Sequence, residues 1–441
     1  MSSTDQPEAI SLAPMHNQPL TLPERHDPYR ALRHRDFRFF CLAVFLTSIG
    51  EQMLSVAIGW ELYERTNSAL ALGFVGLAQV FPVIALSLPA GHIVDRANRK
   101  RIVMLARSGL LLSILGLAFL SATRGPLLLI YACLLLIGCA EAFGSPASSA
   151  MLSQVVPGAA YESAATWESS AGQLGSVMGP ALSGLIIAFF QSATPVYLID
   201  ILIMVVVLLC VALLRGKQPV VQLSEKTTMR SLMEGLSFLR RTQVILASIT
   251  LDLFAVLLGG ATTLMPIYAR DILHVGPSGL GLLQAAPSVG ALIMTFFLTY
   301  LPPFKRAGRA LLLAVALFGL ATCIFGLSHL FWLSLLMLIV LGATDDISMV
   351  IRGTLLLTRT PEAMRGRISS VNTLFISMSN QLGGFESGMA AQLLGPVASV
   401  VVGGVGTILV VVLVATLWPE MRRLGALSET SVEEELVPPH E

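Results

Sequence analysis

The chain has 441 residues, 54% of them apolar and only 12% charged, with a formal net charge of +1. A soluble domain carries about 25% charged residues. This composition, with a mean hydropathy of +0.76, excludes a soluble enzyme, a disordered protein and a nucleic-acid binder. A bilayer-crossing helix needs about 20 apolar residues, and the chain has room for twelve.

Residues 1–35 are polar and read as a solvated cytoplasmic tail, so no cleaved signal peptide is expected. Twelve apolar spans follow, at about 38–63, 69–92, 102–122, 126–153, 162–190, 194–214, 244–272, 277–301, 309–327, 329–355, 364–391 and 395–418. The polar stretch 215–243 divides them into two sets of six, 36–214 and 244–418. Within that linker, Leu232, Met233, Leu236 and Leu239 are spaced for an amphipathic surface helix over 229–240. Residues 419–441 form a second cytoplasmic tail, ending in the acidic run Glu433, Glu434, Glu435. The expected fold is an all-α membrane protein, with twelve transmembrane helices in two pseudo-symmetric six-helix bundles. Lys and Arg fall on the side of the termini, apart from Arg65, Arg124 and Arg270 and the intraspan Arg107. Both termini are therefore expected in the cytoplasm.

The two halves repeat. Gly76-x-x-Gln79-x-x-Pro82 in span 2 returns as Gly281-x-x-Gln284-x-x-Pro287 in span 8. Tyr63-x-Arg65 returns as Tyr268-x-Arg270, and Pro157 as Pro361. Three matches in register indicate internal duplication. Parallel six-span repeats are the plan of a common transporter architecture whose site lies at the midplane.

A carboxylate at the bilayer centre costs about 2.5–3.5 kcal/mol on insertion scales. This chain places Glu51 in span 1, Glu141 in span 4, Asp252 in span 7 and both Asp345 and Asp346 in span 10. Asp200 and Glu386 are further candidates, and Arg107 and Arg352 are available counter-charges. Burial beside other acids favours the neutral form of a carboxylate, which suits loading and release of protons. The seven histidines lie in tails, loops or span ends, so the acids carry any coupling. No catalytic residue, cofactor or metal site is expected. The five cysteines lie in apolar stretches with no ligand spacing, and no phosphate-binding loop precedes any of the four lysines.

Between spans 2 and 3 stands Gly91-His-Ile-Val-Asp95-Arg96-Ala-Asn-Arg99-Lys100-Arg101. Its spacing and position resemble the loop signature of the major facilitator superfamily. The matching second-half loop keeps Lys305, Arg306 and Arg309 but has no acid, so an asymmetric cytoplasmic latch is expected. Asp95 is expected to meet Arg365 or Arg367, or the start of span 11, with Thr360 as its N-cap. Gly175-x-x-x-Gly179-Pro180-x-x-Ser183-Gly184 in span 5 resembles the superfamily's antiporter motif, with Ser183 replacing one glycine. Asp252 through Gly260, Pro266-Ile-Tyr268-Ala-Arg270, Asp345, Arg352-Gly353-Thr354 and Asn380 through Gly388 resemble the enterobactin-exporter-like and macrolide-efflux-like branch.

The resemblance covers about 30–420 and implies that spans 1, 4, 7 and 10 line a central cavity. It implies a monomeric inner-membrane exporter of a small amphiphile, siderophore or drug, driven by proton antiport through alternating access. Drug resistance belongs to the same reading. The partners implied are a small-molecule substrate, protons and lipid. An importer or a lysophospholipid translocator on the same fold is the alternative. The superfamily's drug antiporters often carry an arginine in span 4, where this chain has Glu141 instead. An acid-lined cavity suits neutral or cationic amphiphiles, whereas the branch points to a catecholate; the sequence leaves both open.

Overall fold

The computed structural model describes residues 27–425, apart from 28, 216–236, 238, 240, 241, 303, 362 and 363. Most of both expected tails and nearly all of the expected linker helix lie outside the described residues; the described ends of the tails carry a 3-10 turn, Ala31–Arg33, and a short helix, Pro419–Arg423.

Among the described residues, twelve long helical elements run back and forth. In the first half they are α1 Arg35–Thr66, α2 Ala69–Arg96, α3 Arg99–Thr123, α4 Leu127–Val155, α5 Tyr161–Phe190 and α6 Thr194–Leu213. In the second half they are α7 Gln243–Leu258 with its broken continuation over 261–272, α8 Gly276–Tyr300, α9 Ala307–Leu327, α10 Phe331–Arg359, α11 Arg365–Leu394 and α12 Pro396–Leu417. Eleven are long and apolar enough to cross a bilayer. The remaining one, α11, has the length but carries Asn372, Asn380, Gln381 and Glu386.

Helix packing repeats between the halves. In the first, α1 lies against α5 and α6, α2 against α4, and α3 against α4 and α6. In the second, α7 lies against α11 and α12, α8 against α10, and α9 against α10 and α12. The halves meet where α2 touches α11 and α5 touches α8, which are themselves repeat-related pairs. Lipid offers no hydrophobic drive between helices, so close approach through small residues decides packing. Gly138 of α4 faces the Gln79 carbonyl of α2, and Gly342 of α10 faces the Pro287 carbonyl of α8. These glycines are 204 positions apart, and each precedes a half-buried acid, Glu141 or Asp345, by about one turn.

An even number of crossings puts the chain ends on one face, called the terminal face below. Cations close helix ends by donating to free carbonyls. On the terminal face, Lys100 Nζ donates to the Ala212 and Leu214 carbonyls, each at 2.7 Å, and Arg99 to the Ala150 carbonyl at 3.1 Å. On the distal face, Arg65 donates to the carbonyls of Leu120, Ser121 and Gly125. Asn98 caps α3 and Ser68 caps α2. Thr360 does not cap α11. It follows the last residue of α10, buried, and α11 begins only at Arg365.

A Cβ at position 342 meets backbone that cannot yield, whereas Gly353 on the same helix has open space. Gly342→Ala is expected to destabilise by about 1–3 kcal/mol and Gly353→Ala to be near neutral, read as thermal unfolding of the purified protein. Equal melting temperatures for the two variants contradict this packing.

Candidate functional site

Two cavities share one wall. The larger, about 400 Å³, is lined only by α1, α3, α4, α5 and α6 and runs toward the terminal face past Phe40, Met151 and Val211. The second, about 230 Å³, lies on its distal side between the halves, lined from α1, α2, α3, α4, the broken segment after α7, α8 and α11. Glu51, Leu110 and Glu141 belong to both.

Charge at that shared wall is partly compensated. Arg107 Nη1 donates to Glu51 Oε1 at 2.9 Å, with the Arg107 side chain 14% exposed and that of Glu51 43%. Glu141 lines the same space and makes no ion pair with a described residue; Glu168 adds a third carboxylate nearer the terminal face. Thr47, Ser48, Ser145, Ser148 and Ser149 supply hydroxyls along the wall.

The second half handles its charge differently. Arg352 forms an ion pair with Asp252, and its Nε donates to the Ser348 carbonyl at 3.3 Å. Asp345 and Asp252 border a void of about 10 Å³, no larger than one water requires. Glu141 and Asp345 therefore match in depth, but only Glu141 faces the wide cavity. Asp346 points elsewhere and accepts from Thr295 Oγ1 at 3.0 Å. Glu386 lies beside Ser387, whose hydroxyl reaches it at 3.4 Å, and lines none of these cavities. Asp200 is 1% exposed, packed against Gly50, and its Oδ1 has no hydrogen-bond partner among the described residues.

The small-residue motif of α5 is a packing face. Gly175 and Gly179 admit Ser48 and Ile49 of α1, while Gly184 and the Pro180 carbonyl meet Gly281 of α8 across the halves. Ser183, the departure from the motif, donates to the Met53 carbonyl at 2.9 Å. In the loop motif, Arg99 bonds the end of α4 and Arg96 is exposed, and Gly91 has open space. The side chains of Asp95, Arg365 and Arg367 lie outside what is described.

Two features were not foreseen. The seventh span breaks after Leu258 at Gly259–Gly260, continues as a 3-10 turn over Ala261–Leu264, and ends in a π turn over Tyr268–Ile272. Irregular backbone is tolerated at membrane depth where it lines a cavity, and this break presents Thr262 and Thr263 to the second cavity. The Gly-Gly-x-Thr-Thr run before Pro266 was the available signal. The second feature is a polar seal on the distal face. Tyr63 donates to the Asp271 carboxylate, Arg270 donates to Asn67 Oδ1 at 2.9 Å, and Ser68 donates to Gln392 Oε1 at 3.2 Å. The Arg270 guanidinium also lies over the Tyr63 ring at 5.5 Å.

The sequence pattern of the Major Facilitator Superfamily matches residues 40–379 and again 262–436. The chain belongs to that superfamily: it is a multi-pass membrane transporter and not an enzyme. Among curated relatives, the enterobactin exporter EntS of Citrobacter koseri is 28% identical over 391 residues, covering 88% of this chain and 93% of that one. The EntS of Shigella flexneri is likewise 28% identical over the same shares. Solved structures share the fold at low identity. A POT family transporter in complex with 5-aminolevulinic acid aligns with TM-score 0.70 at 13% identity, covering 88% of this chain and 97% of that one. The nucleoside transporter NupG aligns with TM-score 0.67 at 13% identity, covering 87% and 99%.

Removing one partner of a buried ion pair strands the other charge, whereas removing both does not. Arg352→Met is expected to destabilise by about 3 kcal/mol or more. Asp252→Asn combined with Arg352→Met should recover a large part of that loss in a double-mutant cycle of thermal unfolding. Additive losses would mean that the two side chains do not depend on each other. The seal is tested separately, in a background without native cysteines. Combining Tyr63→Phe with Arg270→Ala should raise labelling of Ser55→Cys by an impermeant maleimide from the distal side by about tenfold, the worth of two or three hydrogen bonds. Unchanged labelling would mean that these contacts do not close the second cavity.

Proposed function

We propose that this protein exports a small amphiphilic molecule, a siderophore or a macrolide-like drug, by proton antiport with alternating access. The observation that carries this is the position of Glu51 and Glu141 on the wall common to both cavities. A group placed there meets substrate and proton along one path. The terminal face is taken as cytoplasmic, following the basic residues, and the distal face as external in an inner membrane. On that orientation the described state is open toward the cytoplasm and sealed outside.

In this mechanism the substrate enters from the cytoplasm into the larger cavity while Glu141 is free of protons. The halves then rock about the α2–α11 and α5–α8 contacts. The external seal opens, protons reach Glu141 and Glu51, and the substrate leaves. The Asp252–Arg352 pair with Asp345 serves the second half as a partner-exchange site: protonation of Asp252 would release Arg352. On the cytoplasmic side, Gly91, Asp95, Arg96 and Arg99 would meet Arg365 and Arg367 when that face closes. Asp346 and Glu386 line neither cavity, so this path does not run through them. The relatives named enterobactin exporters support a siderophore, and the unpaired acids support a cationic or neutral amphiphile. The protein works as a monomer, each chain carrying its own complete path.

Proteoliposomes with an imposed pH gradient and an internal pH dye test this. Adding enterobactin or erythromycin is expected to collapse the gradient, and Glu141→Gln or Asp345→Asn to slow the collapse at least about tenfold. A substrate that moves without disturbing the gradient, in wild-type protein, would show transport that is not proton-coupled. Accumulation in the opposite direction would make the protein an importer.

A further inference from the structure

The duplicated motif Gly-x-x-Gln-x-x-Pro has no part in the mechanism above, yet the fold brings its two glutamines together. Gln79 of α2 and Gln284 of α8 both line the second cavity, one from each half. Gln381 of α11 joins them there. None of the three side chains makes a hydrogen bond to another described residue, although each amide offers two N–H donors and one acceptor oxygen. Gly76, the first residue of the motif, is shaped to Gln381: a Cβ there would lie 2.8 Å from the Gln381 Oε1 and 2.9 Å from its carbonyl oxygen. The motif therefore supplies one glutamine in each half and the space for a third. Thr262 and Thr263, exposed by the break after α7, add hydroxyls to the same wall.

We infer that Gln79, Gln284 and Gln381 form a neutral hydrogen-bonding subsite that reads ester, amide or hydroxyl groups at the uncharged end of the transported molecule. This inference rests on the transport reading above and adds the recognition chemistry. The acids at the shared wall take the ionisable end of the ligand, and the amides, further toward the distal face, take its carbonyl-rich end. Amides suit this task because they satisfy both donors and acceptors without adding charge to a region already crowded with carboxylates. Together the two cavities fall within the usual range for small-molecule sites, about 300–1,000 Å³. A site built to hydrogen-bond a ligand discriminates against analogues lacking those groups, because its own polar atoms are then left unpaired. Gln79 belongs to the first half and Gln284 to the second, so a carbonyl-rich ligand held by both would bridge the two halves.

The test compares two probes on the full-length protein in nanodiscs. Erythromycin carries one amine with lactone, ketone and hydroxyl groups; tetraphenylphosphonium carries a delocalised charge and no hydrogen-bonding group. Gln79→Leu and Gln284→Leu are each expected to weaken erythromycin about three- to tenfold and to leave tetraphenylphosphonium within about twofold. Retained tetraphenylphosphonium binding and melting temperature report an intact fold, and Gln284→Met, unbranched and of similar length, replaces the leucine variant if that one does not fold. Glutamine variants that weaken both probes equally, or neither, overturn the subsite and leave the transport reading standing. Glu141→Gln that spares both probes, with the glutamine variants behaving as expected, removes the acid from ligand binding and keeps the subsite. Wild-type protein that binds neither probe overturns the subsite and the macrolide-like half of the transport reading, and leaves a siderophore exporter standing.

Discussion

A charge inside hydrocarbon must find a partner or water, because the alternative costs several kcal/mol per group. The arrangement of this protein follows from that constraint. Its two halves derive from one repeat and carry acids at matching depths, but they meet the requirement in opposite ways. In the second half, Asp252 takes Arg352 as a close partner, and Asp345 borders with it a water-sized void. In the first half, Arg107 engages Glu51 while Glu141 is left to the wide cavity. A paired, closely packed cluster in one half thus faces an open acidic cleft in the other. Duplication set the depth of these groups, and divergence of their surroundings gave them separate chemistry.

The same logic runs through the contacts between halves. Tyr63 and Tyr268 are repeat mates, as are Arg65 and Arg270. Tyr63 crosses to the second half, while Tyr268 stays home, donating to the Gly326 carbonyl at 2.9 Å and stacking on Phe325. Arg270 crosses to Asn67, while Arg65 stays home on the last carbonyls of α3 and on Glu61. Each pair contributes one residue to the seal and one to its own bundle. A single ancestral Tyr-x-Arg thereby supplies both the anchoring of a helix end and the closure between bundles, with the two roles exchanged between copies.

How much of this the sequence disclosed depends on the kind of signal. Repeat-spaced motifs, intraspan acids and the break between spans 6 and 7 are local patterns, and they located the twelve elements and the residues that carry charge. Partner choice is not local. That Glu51 takes Arg107, or that Asp346 turns toward Thr295, depends on helix rotation that apolar composition on all sides of a membrane helix does not encode. The motif glutamines illustrate the limit. Their recurrence at an offset of 205 was legible as duplication, but their convergence on one cavity required the pairing of α2 with α11 and α5 with α8. The break at Gly260 was marked only by the short Gly-Gly-x-Thr-Thr run within an otherwise apolar span. Apolar continuity conceals where a helix stops when tertiary contacts, here Gly383 and Ser387 against Gly260, set the boundary.

The composition of the seal bears on how such a protein switches. An apolar seal of the same extent would bury its surface against protein in one state and expose it to water in the other, a difference of several kcal/mol at about 25 cal/mol per Å². Hydrogen bonds at an aqueous face are exchanged for bonds to water, and each contributes only about 0.5–1.5 kcal/mol net. The Tyr63–Asp271, Arg270–Asn67 and Ser68–Gln392 contacts therefore hold the distal face shut by a modest margin. A ligand moves a two-state equilibrium only by its differential affinity for the two states. A seal of this strength lies within reach of the few kcal/mol that one bound molecule supplies. The glycine contacts beneath it, Gly184 on Gly281 and Gly73 on Phe385, bring backbones close without interlocking side chains. On the transport mechanism proposed above, they would give the halves a surface on which to rock, with the polar layer above them setting when they do.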